Sequence, residues 1–132
     1  MSNGLHKAFF FALLLLGAAC AASRPDIIQV GPWFPARSSV DVQVFSSKEE
    51  TLKPWGAIAI IHSARFPVDD KAGLNRQKKM ARKMAAGIGA DGVIIAEQTD
   101  MGTAQLGVYQ EPETFISALA FKYVANISTA VK

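Results

Sequence analysis

Cys20 is the residue with the clearest chemistry, because it directly follows a short apolar segment. Residues 1–7 carry a positive flank, residues 8–16 are uninterrupted hydrocarbon, and residues 17–19 are small. This order is typical of an export signal. The apolar run is shorter than the roughly 20 residues that a membrane-spanning helix needs, so we do not expect it to remain as a transmembrane anchor.

The stretch Leu-Gly-Ala-Ala-Cys at positions 16–20 resembles the bacterial lipoprotein signal, in which the cysteine is acylated and becomes the first mature residue. We therefore expect residues 1–19 to be a signal peptide and Cys20 to carry acyl chains such as palmitate. Two or three chains, at about 0.8 kcal/mol per buried methylene, would anchor the protein stably. Gly17 stands where this signal usually has leucine. The alternative is ordinary signal-peptidase cleavage near Ala22.

A group of basic residues falls on one arc of a predicted helix over residues 74–88. At 100° per residue, the opposite arc carries Met80, Met84 and Ile88, so one face packs and the other is basic. Cations near a helix N-terminus oppose the helix dipole by several tenths of a kcal/mol, which suggests a use outside the helix. The basic arc consists of Arg76, Lys78, Lys79, Arg82 and Lys83.

We predict an anion-binding surface at Arg76, Lys79, Arg82 and Lys83, which would contact phospholipid or lipopolysaccharide phosphates or an acidic protein. The alternative is a solvated helix face with no partner, which is the usual role of such charges. The formal net charge of +3 would suit nucleic acid, but the export signal argues against that partner. The expected partners are therefore the membrane, through the anchor, and an envelope protein or anionic lipid.

The remaining reactive side chains do not form a catalytic pattern. His62 ends an apolar run with Asp69 and Asp70 a loop away, which leaves a metal site of one histidine and carboxylates as an alternative. One imidazole without a spaced partner more often indicates a structural histidine. Ser63 follows His62 on a strand and would point to the opposite face. We therefore expect a non-enzymatic protein with no catalytic residue, cofactor or resident metal.

Residues 20–39 contain three prolines and a glycine, a composition typical of an extended tether. The apolar residues between Ile27 and Phe34 either pack on the folded domain as a short edge strand or bind a partner. Burial is the commoner fate of such residues, so packing is favoured. We expect a single domain over residues 40–132, because this length suffices for one small core only.

Hydrophobic periodicity predicts the elements of this domain. Alternating residues predict a strand with one buried face, and two continuous apolar runs predict buried strands before and after the helix. Gly89 is expected to end the helix in the left-handed conformation, and Asp70 or Asn75 to cap its start. The segment 116–124 fits a helix or a strand. The predicted strands, in chain order, are 40–46, 57–62, 92–98 and a short one at 105–109.

Several short motifs of this domain, taken in order, resemble the RcsF family of outer-membrane lipoproteins, which sense envelope stress for the Rcs phosphorelay. The motifs are Val42-Gln-Val-Phe45, Lys48-Glu-Glu50, Lys53-Pro-Trp55 followed by Gly56, Lys79-Met80 in the basic helix, Ile88-Gly-Ala-Asp-Gly-Val-Ile-Ile95, Gly107-Val-Tyr109 and Ser117-Ala-Leu119. The Gly-Ala-Asp-Gly-Val step is also similar to YbjQ-type domains, which are labelled as heavy-metal binders, and this similarity implies a small-ligand or metal-binding periplasmic domain as the alternative function. The disulfide-forming cysteines of the RcsF family have no counterpart here.

The resemblance implies an α/β (α+β) domain, with one main amphipathic helix packed on a small mixed β-sheet and displayed from a lipid anchor. It favours a strand for the segment 116–124. It also implies a binding or stress-sensing module in the bacterial cell envelope, with the anchor in the outer membrane and the domain in the periplasm. Ala21 fits this localisation, because an aspartate after the acylated cysteine signals inner-membrane retention in enteric bacteria.

Overall fold

The computed structural model of the chain describes residues 24–101 and 111–127. These residues form one mixed β-sheet with a long helix on one face, which confirms the predicted α+β fold. In chain order the elements are β1 Asp26–Gln29, β2 Gln43–Phe45, β3 Trp55–His62, β4 Phe66–Pro67, α1 Lys71–Gly87, β5 Gly92–Asp100, β6 Glu113–Tyr123 and α2 Val124–Ile127. The strand order is β1-β3-β6-β5-β2, with β4 also paired to β6. All pairs are antiparallel except β2 with β5, which are parallel.

β6 is the central strand of the sheet and pairs with both β3 and β5. Along its length, every second residue from Thr114 to Ala120 is buried, and this period of two is the period of a strand. The structure thus confirms the strand interpretation of the segment 116–124, up to Tyr123. At Val124 the short helix α2 begins.

The contact between α1 and the sheet is lined by alanines. Ala81 and Ala85 of the helix are fully buried, as are Ala118 and Ala120 of β6, and all four belong to one hydrophobic core. Small side chains at such positions allow a helix to lie close to the sheet. Isoleucine and valine form most of the rest of this core, together with Phe66 and three further alanines. Burial of this apolar surface stabilises the packing of the helix on the sheet by about 25 cal/mol per Å².

Both ends of α1 are capped by local sequence features. The Gly73 N–H donates to the side chain of Asp70 over 2.8 Å, so the helix begins three residues before the predicted start at Leu74. Gly89 follows the helix with a φ of 76°, as predicted for the residue that reverses the chain. A β-carbon at Gly89 would lie 2.6 Å from the backbone oxygen of Pro35, so this position also permits a close approach of the N-terminal segment.

The N-terminal segment is part of the packed domain. β1 pairs antiparallel with β3, and Ile27 and Phe34 pack against the core. The Phe34 N–H donates to the carbonyl of Ile88 over 3.0 Å, and the Arg37 N–H donates to the carbonyl of Ala86 over 2.9 Å. The packed part of the chain therefore includes residues upstream of position 40, where the sequence pattern places the start of the domain.

Strand β2 is shorter than the predicted strand 40–46. Residues Ser39–Asp41 form a 3₁₀ turn, and only Gln43–Phe45 pair with β5. Val42 is fully buried, whereas Val44 is 49% exposed because β2 lies at the sheet edge. The predicted strand 105–109 lies outside the described residues. None of the helices in the described part of the chain is long and apolar enough to span a membrane.

Candidate binding surface

Arg82, one of the four residues of the predicted anion-binding surface, makes hydrogen bonds within the domain. Its Nε donates to the carbonyl of Val42 over 2.9 Å, and its Nη2 donates to the carbonyl of Val40 over 2.9 Å. These carbonyls belong to the turn that leads into β2. Arg82 therefore ties α1 to the segment before β2, a structural role that satisfies backbone acceptors.

Two further cations of α1 have acidic neighbours. The Arg76 guanidinium lies 3.4 Å from the Asp70 carboxylate, and the Lys78 ammonium lies 3.0 Å from the Glu97 carboxylate on β5. Both pairs are partly exposed, and such ion pairs contribute about 0–1 kcal/mol to stability. The two acids reduce the local positive charge that the sequence alone suggested.

Lys79 and Lys83 lie one helical turn apart on the exposed face of α1. Neither makes a hydrogen bond or ion pair with the residues that the structure describes. The predicted four-residue surface therefore divides into two unengaged lysines, Lys79 and Lys83, and two arginines with contacts inside the domain. We call Lys79 and Lys83 the lysine pair.

A buried charge cluster lies at the turn between α1 and β5. Asp91 is 3% exposed, and its carboxylate accepts hydrogen bonds from Arg37, from the Tyr123 backbone N–H over 2.9 Å and from the Asn126 amide over 2.9 Å. The Lys122 ammonium lies 3.3 Å from the same carboxylate. The cluster joins the N-terminal segment, the turn, β6 and α2 at one point.

Burial alone would raise the pKa of Asp91, because the charged form loses its hydration. The hydrogen bonds from Asn126 and Tyr123, together with the charge of Lys122, outweigh that effect and lower the pKa below its usual value. Asp91 is therefore a structural anion that stays ionised. Sequence reasoning treated this aspartate as a turn residue, although its place between Ala90 and Gly92, before an apolar strand, was a signal of burial.

His62 and Ser63, which were considered for metal binding or catalysis, pack or form hydrogen bonds within the domain. The His62 ring lies 6.1 Å from the Phe115 ring in an edge-on arrangement. Ser63 is buried, and its hydroxyl donates to the Ala64 carbonyl and accepts from the Ile116 N–H. Within residues 24–101 and 111–127, no three His, Cys, Asp or Glu side chains are grouped as metal ligands. Cys20 lies outside these residues.

A shallow pocket of about 260 Å³ opens where β2 ends beside β5. Its apolar part comes from Val44 and Ile95, and the Lys78–Glu97 ion pair forms its polar side. The complete lining is Val44, Phe45, Ser46, Lys78, Ile95, Ala96 and Glu97. No sequence pattern predicts this pocket, because its walls come from three separate segments of the chain.

An aromatic cluster fills the sheet face opposite α1, near the start of β3. The Phe121 ring is fully buried and lies 5.0 Å from Trp55, 5.3 Å from Tyr123 and 5.9 Å from Phe45, measured between ring centroids. A β-carbon at Gly92 would lie 2.4 Å from the Phe121 ring, so this glycine makes room for it. Trp55 therefore has a packing role here.

No protein-family model matches the chain, and no curated protein matches it either. Among solved structures, the chain is similar to the crystal structure of the Francisella virulence factor FvfA in its orthorhombic form. The two are 16% identical with a TM-score of 0.51, and the match covers 75% of this chain and 97% of FvfA. At this identity the likeness concerns the fold alone and carries no residue role.

Proposed function

We propose that this protein is a non-enzymatic binding module of the bacterial envelope, held to the outer membrane by acyl chains on Cys20. The domain engages an anionic envelope component, either phosphate-bearing lipid or an acidic protein, through the lysine pair on α1. In this role the domain reports or relays the state of the envelope to a partner, as the resemblance to the RcsF family suggests.

The observation that carries this proposal is the contrast among the cations of α1. Arg82 bonds to backbone carbonyls, and Arg76 and Lys78 have carboxylates beside them. Lys79 and Lys83 are exposed and have no such partner among the described residues. An ammonium close to an anionic membrane surface gains about 1 kcal/mol, so two lysines one turn apart favour such a surface measurably.

The test is sedimentation of the chain with vesicles of phosphatidylcholine, alone or mixed with phosphatidylglycerol. Cys20→Ser removes the acylation site, so that the lysine contribution is not masked by the anchor. Charge reversal of Lys79 and Lys83 to Glu should lower binding to the mixed vesicles at least about 30-fold, since it removes about 2 kcal/mol of attraction. Binding to neutral vesicles should not change.

The matched control reverses Lys48 and Lys71, two exposed cations outside the lysine pair, and gives the same net charge. If both double variants lose equal affinity, the vesicles sense total charge and the lysine pair is not a site. If neither variant weakens binding, and the reversed lysines also leave the envelope localisation of the acylated protein unchanged, the anionic-partner function is wrong.

A second candidate function is small-ligand or metal binding, and the pocket beside β5 is the observation that favours it. Its volume of about 260 Å³ lies just below the range of about 300–1,000 Å³ typical of ligand pockets. Thermal unfolding in the presence of divalent metals tests it directly. A melting temperature that stays constant across the metals would remove the metal-binding form of this function.

A further inference from the structure

Strand β5 has one edge that is only partly paired. β6 pairs with it along its whole length, from Gly92 to Asp100. On the other edge, β2 pairs only with the first three residues, from Gly92 to Ile94. Among the described residues, no strand continues this pairing past Ile94, and residues 96–99 are exposed. The edge from residue 95 to residue 99 is called the open edge below.

The register fixes which main-chain groups point out from the open edge. The Gln43 N–H donates to the Asp91 carbonyl over 3.0 Å, and Gln43 lies opposite Gly92 in a parallel pair. In a parallel ladder, Gln43 bonds to the carbonyl of the residue before Gly92 and to the N–H of the residue after it, so Val93 directs its main-chain groups toward β2. Because this direction alternates along a strand, the N–H and C=O groups of Glu97 and Thr99 face outward.

The pocket of about 260 Å³ lies at the beginning of the open edge. Val44 and Ile95 form its apolar side, beside the Lys78–Glu97 ion pair, and β2 ends next to it, at Phe45. Alternate side chains of a strand lie about 7 Å apart on one face, so a strand laid in line with β2 would direct a side chain toward this pocket. The site therefore combines outward main-chain groups with room for one apolar side chain.

The opposite edge of the sheet lacks these features. β1 has only four residues, Pro25 precedes it, and Pro32 follows shortly after it. Prolines and short length are the devices by which proteins protect sheet edges from further pairing. The open edge of β5 contains neither proline nor glycine, and its one charged side chain, Glu97, is engaged by Lys78 of α1.

We propose that the open edge of β5 is a docking site for an extended segment of a partner protein, which adds a strand to the sheet beside β5 and places an apolar side chain in the pocket. The occupant is a polypeptide because outward N–H and C=O groups at alternate residues match the main chain of an extended strand. A second copy of this chain fits less well, because it brings two Glu97 side chains onto one joined edge. The site is separate from the lysine pair and does not depend on an anionic partner.

The test uses the full chain in neutral detergent, labelled with ¹⁵N. The probe is a synthetic peptide that alternates threonine with valine, has leucine at its centre and lysine at both ends, and is capped at both termini. Binding is followed by amide chemical shifts and by hydrogen exchange. Its control is the same peptide with N-methyl groups on alternate residues, which keeps the side chains and removes main-chain donors.

We expect saturable binding that slows hydrogen exchange at the Glu97 and Thr99 amides and leaves the Gln98 amide, which faces β6, unaltered. N-methylation and replacement of the central leucine by aspartate should each weaken binding at least about tenfold. Failure of the parent peptide to bind overturns the proposal. Equal binding of the N-methylated peptide also overturns it, because the main-chain N–H groups of the peptide would then make no contribution to binding.

Two protein variants separate strand addition from binding elsewhere. Glu97→Pro removes an outward donor without touching the β5–β6 ladder, so it should weaken peptide binding at least about tenfold while the sheet stays folded. Glu97→Ala loses the same ion pair and the same part of the pocket wall but keeps the donor, so it should bind the peptide at least about tenfold more tightly than Glu97→Pro. Equal binding by all three proteins contradicts the site. If the open-edge amides become more protected from exchange as the protein concentration increases, without any peptide, then a second copy of this chain occupies the edge and the proposed partner is wrong.

Discussion

Two regions, one on α1 and one just past its end, carry charge in opposite ways. Just past the C-terminal end of the helix, Asp91 is buried and every part of its carboxylate is engaged, by Arg37, Lys122, Tyr123 and Asn126. On the exposed helix face, the lysine pair has no partner within the described residues. The difference separates charges that hold the fold from charges that are available to another molecule.

The largest expected effect is that of Asp91→Ala. It leaves Arg37 and the partly buried Lys122 without their counter-ion and removes the acceptor of the Tyr123 N–H, so we expect a loss of about 3–5 kcal/mol in the free energy of unfolding. Denaturant titration followed by circular dichroism measures it. Asp69→Ala, at an exposed acid, is the control and should change stability by less than about 0.5 kcal/mol. A loss below about 1 kcal/mol for Asp91→Ala would mean that the cluster is not structural.

The same cluster predicts a pH dependence with a definite sign. An unfolded chain has an aspartate pKa of about 3.9, and the pKa of Asp91 in the folded protein is lower. Asp91 therefore contributes stability that is fully present above the unfolded pKa and is lost as the pH falls through the folded pKa. The free energy of unfolding of the wild type should approach that of Asp91→Asn as the solution is acidified below about pH 4. A constant difference between the two proteins over this range would contradict the lowered pKa.

Arg82→Ala tests whether Arg82 is a structural charge, although it lies on the same helix as the lysine pair. It removes two charge-assisted hydrogen bonds to the carbonyls of Val40 and Val42, and we expect a loss of about 1.5–3 kcal/mol. Arg82→Lys should recover only part of this loss, because one ammonium cannot repeat both bonds. If Arg82→Ala is as stable as the wild type, the two hydrogen bonds do not hold the fold, and Arg82 belongs with the charges that are available to a partner.

The smallest effect on stability is expected for the lysine pair. Replacing Lys79 and Lys83 by Ala should change the free energy of unfolding by less than about 0.5 kcal/mol, because the two exposed side chains lose no hydrogen bond or ion pair with the described residues. Thermal unfolding of the double variant checks this, alongside the vesicle experiment. A strong destabilisation would show that these lysines belong with the structural charges.

The main elements of the fold were predictable because each follows from a local pattern. The apolar run at 57–62, the amphipathic helix and the left-handed Gly89 all appear where the sequence indicates them. The predicted length of β2 was too great, because alternation of apolar and polar residues does not reveal that the strand lies at the sheet edge and leaves Val44 uncovered. The segment before residue 40 has no sustained period, and its pairing with β3 is a long-range contact.

The charged residues were harder to predict than the strands. Helical periodicity places Arg82 among the exposed cations, but its bonds to Val40 and Val42 depend on a turn 40 residues away in the chain. The Asp91 cluster likewise joins residues from four segments. Partners distant in sequence decide whether a charge is structural or available, and one sequence does not reveal them.

The alanine-lined contact between α1 and the sheet restricts how this protein can change over time. At Ala81, Ala85, Ala118 and Ala120, nearly every single-residue replacement adds volume, and enlarging a packed core residue costs about 1–3 kcal/mol. Glycine, the one smaller choice, would weaken the helix or the strand. Descendants of this chain should therefore drift on the exposed helix face, on β1 and around the open edge, while these four positions stay fixed.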